Sequence, residues 1–152
     1  MNELWAQWFH ASLRKFFLDQ AGSVTMHIEG ERRATDGLTS WYEFRTGGVS
    51  IRPLTGNKYT VRIVVNILVV TAIDDSDVFR HTGYVGKVAA MFDNAVSIYK
   101  LGDVSEDARH DGSLLCCMHL DDEAIAVANF GQISATMDQE QSSVQATYDV
   151  TL

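Results

Sequence analysis

The stretch that most constrains the fold is residues 59–73, which read YTVRIVVNILVVTAI. Almost every residue in it is β-branched or aliphatic, and such side chains suit the pleated surface of a β-strand. One set of alternate positions is apolar nearly throughout. The other set begins with Thr60 and Arg62 and then becomes apolar, which indicates a strand that is covered on both faces. A membrane-spanning helix is excluded because the run is shorter than about 20 residues and contains Arg62 and Asn66.

The length of this strand is unusual. Fully extended it would measure roughly 50 Å, whereas a common strand has about 5–6 residues. The strand therefore either bends at a bulge or runs past its own domain and is completed by a neighbouring chain, and we expect the second arrangement. The residues predicted to form an oligomer interface are those of the apolar set: Tyr59, Val61, Ile63, Val65, Ile67 and Val69.

The rest of the chain predicts an α+β fold in a single domain, 1–152. Apolar residues recur at helical spacing over 3–20 and 77–93, with Ser76 or Asp77 as the N-cap of the second helix. Shorter alternating runs predict strands at 24–28, 39–45, 49–55, 95–101, 113–120, 124–130 and 143–152. Gly56 and Asn57 favour a tight hairpin turn. We expect a mixed, largely antiparallel sheet of about seven strands with both helices packed on one side.

The charge of the chain limits the kinds of partner it can bind. It has 20 acidic and 12 basic residues, a net charge of −8, which argues against a surface that grips nucleic-acid phosphates. An acidic wall does allow a DNA duplex to slide past. The adjacent Cys116 and Cys117 point to opposite faces of a strand, so a bond between them would be strained. We predict that both cysteines are reduced, as is usual in a protein made in a cytoplasm.

Catalytic motifs are absent from the sequence. It has no nucleophile elbow, no phosphate-binding loop, no H-E-x-x-H and no dinucleotide fingerprint. His119 and Asp121 have a spacing that suits two metal ligands, but no third ligand accompanies them. We therefore expect no catalytic residues, no metal and no cofactor. The alternative is a small enzyme or binding module with a preformed pocket near His119 and Asp121.

The last third of the chain resembles the C-terminal part of the tail terminator proteins of long-tailed bacteriophages. The resemblance rests on three segments, LLCCMHLDD, AIAVANFGQI and SSVQATYDVTL. The residues that match the family pattern are Asn129, Phe130, Gly131, Gln132, Ile133, Gln145, Ala146, Thr147, Tyr148 and Leu152. The aromatic N-terminal helix and the strand at 41–45 also fit in order and length.

This resemblance implies a virion structural protein with a tail-terminator or tail-tube fold, made in the host cytoplasm. Such proteins close into a six-fold ring, so a homo-oligomer, in this case a hexamer, is expected. The ring caps the tail tube, stops its polymerisation and offers a surface to the head-side connector. DNA passes through its lumen without specific binding, and no membrane is involved. A head-completion (stopper or adaptor) protein and a tail-tube subunit of the phage neck are alternatives.

Two polar loops are candidates for docking to the tube or the connector, or for lining the lumen. They span 30–38 and 102–112, and the second is strongly acidic. The candidate residues are Arg32, Arg33, Asp103, Glu106, Asp107 and Asp111.

Overall fold

A seven-stranded sheet with two helices on one of its faces makes up the described part of the chain. The computed structural model describes residues 1–31, 34–92, 95–102, 108–121, 125–134 and 137–152. The helices are α1 (Trp5–Ala21) and α2 (Arg80–Met91), and a 3-10 turn spans Ala108–His110. The strands are β1 (Met26–Ile28), β2 (Ser40–Pro53), β3 (Tyr59–Ala72), β4 (Ala95–Tyr99), β5 (Leu114–Leu120), β6 (Ala126–Ser134) and β7 (Met137–Thr151). The predicted α+β class and the two-helix layer are confirmed.

The strand order is β1-β2-β3-β7-β5-β4, and β6 pairs with β7. All pairs are antiparallel except β1 with β2, which is parallel. β7 has two neighbours along its outer edge: its first half pairs with β6, and residues 148–149 pair with β5. The sheet is therefore mixed but largely antiparallel, as the hairpin-rich sequence predicted.

The core lies between the helices and one face of β3. Val61, Ile63, Val65, Ile67 and Val69 are at most 1% exposed. Aromatic side chains from the helices complete this layer, and the Phe17 ring of α1 lies 5.6 Å from the Phe44 ring and 5.2 Å from the Phe92 ring. Burying each large apolar side chain contributes about 1.5–3 kcal/mol, so this layer dominates the stability of the fold.

This burial corrects the predicted oligomer interface. Five of its six residues are the core residues just described, and the sixth, Tyr59, packs its ring 5.6 Å from that of Trp5. The set Tyr59, Val61, Ile63, Val65, Ile67 and Val69 therefore packs against helices of its own chain. The length of β3 is explained in the same way, because β2 and β7 pair with it along almost its whole length. The expectation that β3 needs a neighbouring chain was wrong because sequence alone did not reveal two equally long flanking strands.

β2 is one continuous strand where the sequence predicted two strands and a turn. Gly47 and Gly48 form a β-bulge between Thr46 and Val49, and Gly48 has φ of +90°. A bulge puts two residues opposite one, so the side chains that face the core change from even-numbered to odd-numbered positions. The predicted hairpin turn is confirmed, with φ of +74° at Gly56 and +60° at Asn57.

β6 and β7 also extend further than predicted. β6 continues past Gly131, which has φ of +64° and sits in a second bulge, to Ser134. β7 begins at Met137, so residues 137–142, which the polar sequence predicted to be a loop, belong to a strand. Polar side chains are compatible with a strand here because one face of this end of the hairpin is exposed to water.

Helix α2 begins later than predicted, at Arg80, and its N-cap position is Phe79. Asp74 instead accepts hydrogen bonds from the backbone and hydroxyl of Ser76, which closes a turn before the helix. The predicted capping by Ser76 or Asp77 was therefore wrong. Within the described residues, neither helix combines the length and the apolar character that spanning a bilayer requires.

Candidate functional site

β6 is the most exposed strand of the described sheet. It pairs with β7 on one side, and no strand of the described part lies on its other side. Every residue from 126 to 132 is exposed, including the large apolar side chains of Val127 (47%) and Phe130 (56%). We call the side of β6, residues 126–134, that faces away from β7 the β6 edge. The edge of a sheet is a surface to which another strand can bind.

The composition of the β6 edge is unusual for an exposed strand. Its residues, AVANFGQIS, include no charged side chain and no proline. Exposed edges are normally protected by lysine, proline, shortness, a bulge or a covering element. Here the irregularity around Gly131 is the bulge, but residues 126–129 pair regularly with β7. This regular, uncharged part is suited to a partner strand.

A chain of short hydrogen bonds anchors β6 to the rest of the fold. The Ser142 hydroxyl donates to Oδ1 of Asn129 (2.6 Å), and it lies 2.7 Å from Nε2 of His81. Because the hydroxyl has only one proton, Nε2 of His81 must be the donor to it. Nδ1 of His81 then accepts from the Thr71 hydroxyl, which is 2.7 Å away. The chain thus links β3, α2, β7 and β6 through a neutral histidine.

Burial determines the electrostatics of this chain. Thr71 and Ser142 are at most 1% exposed. Desolvation lowers the pKa of His81 below its usual value, and the nearby Glu140 carboxylate opposes that shift. The lowered pKa favours the neutral imidazole, in which Nδ1 is the acceptor. Since Ser142 is fully buried and its proton is directed at Asn129, this serine is a structural group and not a nucleophile that a substrate could reach.

A second open edge lies diagonally across the sheet from β6. β1 pairs with β2 only at residues 42–44, so no described strand borders β2 from Thr46 to Pro53. We call residues 46–53 the β2 edge. Its core-facing Val49 and Ile51 are half-buried, and Leu54 beyond it is 43% exposed. The edge of β4, by contrast, is covered by α1, where the Ser12 hydroxyl bonds to the backbone N–H and C=O of Tyr99.

Five of the six candidate docking residues lie outside the described residues. Arg32, Arg33, Asp103, Glu106 and Asp107 all lie there. Asp111 is exposed, and its carboxylate accepts hydrogen bonds from the backbone and hydroxyl of Ser113, which lower its pKa. Asp111 therefore forms a local turn and keeps its negative charge on the surface.

The enzyme alternative places a pocket near His119 and Asp121. His119 is exposed, and Asp121 forms an ion pair with Arg62 that reaches across β7. A groove of about 650 Å³ does exist, but it runs along α1 and is lined by residues such as His10, Arg14 and Lys15. Among the described residues, no group of three or more His, Cys, Asp or Glu is placed to hold a metal ion.

The two cysteines are free, as the sequence predicted, and both are half-buried. Burial raises the pKa of Cys116 to about 11, so its thiol stays protonated and unreactive at neutral pH. Cys117 places its Sγ 3.7 Å from the hydroxyl of Ser97. Both side chains therefore serve as small packing groups in β5.

Sequence reasoning missed the two open edges and the role of His81. The edges depend on which strands are neighbours, and a local pattern does not contain that information. His81 did give a signal, because it lies on the apolar stripe of its helix with Val85 and Val88. A polar residue in such a stripe must find a partner when it is buried.

The chain was compared with models of known protein families and with curated proteins, and neither comparison found a match.

Proposed function

We propose that this protein is a tail terminator of a long-tailed bacteriophage, a hexameric ring that caps the tail tube. The observation that carries the proposal is where the residues behind the sequence resemblance lie. The matching residues 129–133 lie on β6, and the matching residues 145–148 lie on β7, which forms a hairpin with β6. Leu152 directly follows β7. Ala146 and Tyr148 on β7 are core residues, whereas residues 129–132 on β6 are exposed, so the β6 part of the resemblance lies on a surface available for assembly.

In this role the ring would end tube polymerisation and present its other side to the head-side connector. Ring formation requires a surface that is complementary to another surface of the same chain, and a sheet with two open edges offers both. The net charge of −8 is consistent with a lumen through which DNA slides without being held. The protein would be made in the host cytoplasm and would act in the neck of the virion.

The decisive experiment is the mass of the purified protein in solution, measured alone and with its tail-tube protein. We expect either a hexamer alone or a monomer that becomes a ring at the ends of tubes. Light scattering and native mass spectrometry give the mass, and negative-stain electron microscopy locates the ring. A protein that stays monomeric and does not bind to tubes at any concentration tested would overturn the proposal.

The same samples separate the terminator from its two relatives in the neck. A tube subunit would polymerise into long tubes, whereas a terminator shortens the tubes formed when it is added during assembly. A stopper would bind the connector but leave tube length unchanged. The distribution of tube lengths with and without the protein is therefore the second measurement.

A further inference from the structure

We infer that the turn between β2 and β3 docks onto an acidic surface of another protein in the virion neck. This inference rests on the proposed function, and it names the chemistry of a partner and the residues that would recognise it. We call residues 52–58, which join β2 to β3, the hairpin tip. Every residue of the hairpin tip is exposed.

The β2–β3 hairpin differs in charge from the rest of the chain. Residues 44–73 contain four basic residues and no acidic one, although the whole chain has 20 acidic and 12 basic residues. Two of the four basic residues are paired within the fold. Arg45 forms an ion pair with Glu43 (2.9 Å). Arg62 forms one with Asp121. The positive charge that remains on the hairpin is therefore at its tip.

Two basic residues of the hairpin tip remain for a partner. Arg52 and Lys58 are both exposed, and within the described part of the chain neither forms an ion pair. Leu54, which lies between them in the sequence, is 43% exposed. Protein interfaces commonly have an apolar centre and a polar rim, and opposite charges across them guide association. The hairpin tip therefore suits an apolar depression that is surrounded by carboxylates.

The hairpin tip is held in one conformation by its own backbone and by its neighbours. The N–H of Leu54 donates to the C=O of Lys58 across the turn (2.8 Å). Directly after the tip, Tyr59 exchanges two backbone hydrogen bonds with Leu152, and its ring packs 5.6 Å from that of Trp5. A segment that is already ordered loses little conformational entropy when it binds, so even a small tip can contribute to affinity.

The charge of the hairpin tip favours a protein partner over nucleic acid. A protein that binds DNA through the phosphates typically contacts about 6–10 of them. The hairpin tip has only Arg52 and Lys58 to offer, and the net charge of −8 repels a duplex at long range. A few carboxylates on a protein surface match two cations in number, and an apolar centre that excludes water strengthens such ion pairs.

The first test reverses the charge of the hairpin tip. The double variant Arg52→Glu/Lys58→Glu should bind about tenfold or more weakly to one of two partners, the assembled tail tube or the head-side connector, because attractive charge pairs become repulsive. The salt dependence of that binding should also become shallower. Co-sedimentation with tubes and light scattering with the connector measure the two affinities, and circular dichroism checks that the variant folds.

The matched control for this test is Lys15→Glu/Lys87→Glu. It changes the net charge by the same amount, through exposed lysines on α1 and α2, and should bind like the wild type. An equal loss of binding in the control would show that net charge alone matters, and would overturn the inference. So would a tip variant that binds both partners like the wild type, or one that no longer forms the ring, since the tip would then be a contact between copies.

The second test identifies the groups that the hairpin tip touches. A water-soluble carbodiimide activates a carboxylate, and an ammonium in contact with that carboxylate displaces the urea and forms an amide. In the wild-type complex, mass spectrometry of the peptides should find Lys58 joined to an aspartate or glutamate of the partner. Lys58→Arg should bind normally but lose this cross-link, because arginine keeps the charge and does not form the amide.

Two further results separate this inference from the proposed function. A complex in which Lys58 is joined to no carboxylate of the partner would overturn the inference and leave the terminator standing. A wild-type protein that binds neither the tail tube nor the connector would overturn both together.

Discussion

His81 on α2 is hydrogen-bonded to residues of two strands, β3 and β7. Its two ring nitrogens contact Thr71 and Ser142, which are 10 and 61 positions away in the chain. Through Ser142 the contact continues to Asn129 on the exposed strand. A buried chain of this kind stabilises the fold only when every member is satisfied, because a buried group without a partner costs about 1–3 kcal/mol.

The lowered pKa of His81 predicts that the fold weakens in mild acid. An unfolded histidine binds a proton near pH 6.5, whereas native His81 resists protonation. The unfolded chain then binds more protons, so stability is fully present above about pH 6.5 and falls as the pH drops below it. We expect the urea midpoint to fall between pH 7 and pH 5. The fall should be smaller in His81→Gln, which cannot titrate.

Two exposed carboxylates, Asp74 and Asp111, do not affect this measurement. The pKa values of Asp74 and Asp111 are lowered by hydrogen bonds from Ser76 and Ser113, so these groups titrate below the window used. Glu140 faces His81 and should be replaced by glutamine in a parallel variant. Equal pH slopes in the wild type and in His81→Gln would show that another group is responsible.

At the scale of elements, the glycines differ sharply in what they do. Gly48 in the β2 bulge has φ of +90°, where an L-residue is strained, whereas Gly83 in α2 has open space around the position of a Cβ. We expect Gly48→Ala to lower the free energy of unfolding by about 1–2 kcal/mol. Gly83→Ala should raise it by about 0.5–1 kcal/mol. Urea unfolding of the two variants checks both signs, and a stabilising Gly48→Ala would contradict the bulge geometry.

The same elements show what the sequence could and could not predict. Helix α1 and strand β3 were predictable because their side chains repeat with a clear period and pack on one core. The bulge at Gly47 and Gly48 was not predictable, since adjacent glycines suit a turn as well as a bulge. The burial of the apolar β3 face against its own helices was also missed. That outcome depends on β2 and β7 lying on either side, which is a property of the whole topology.

For the whole molecule, charge is the property that decides how it behaves towards DNA. The excess of 20 acidic over 12 basic residues repels a phosphate backbone at long range. We expect no retention of duplex DNA at about 0.15 M salt. Fluorescence anisotropy of a labelled duplex, titrated with the protein, is the measurement. Binding that weakens steeply with added salt would contradict this prediction and point to a basic patch on the protein surface.

The bulge in β2 has a consequence for which sequence changes the protein can tolerate. Gly47 and Gly48 look like loop residues, and a deletion in a loop is usually harmless. Losing both of them would break the alternation, so every later side chain of β2 would exchange faces. Val49 and Ile51 would then turn towards water, and Ser50 would enter the core. Losing only one glycine would remove the bulge and leave the later side chains on their present faces. The strand can therefore shorten by one residue at this point, but not by two.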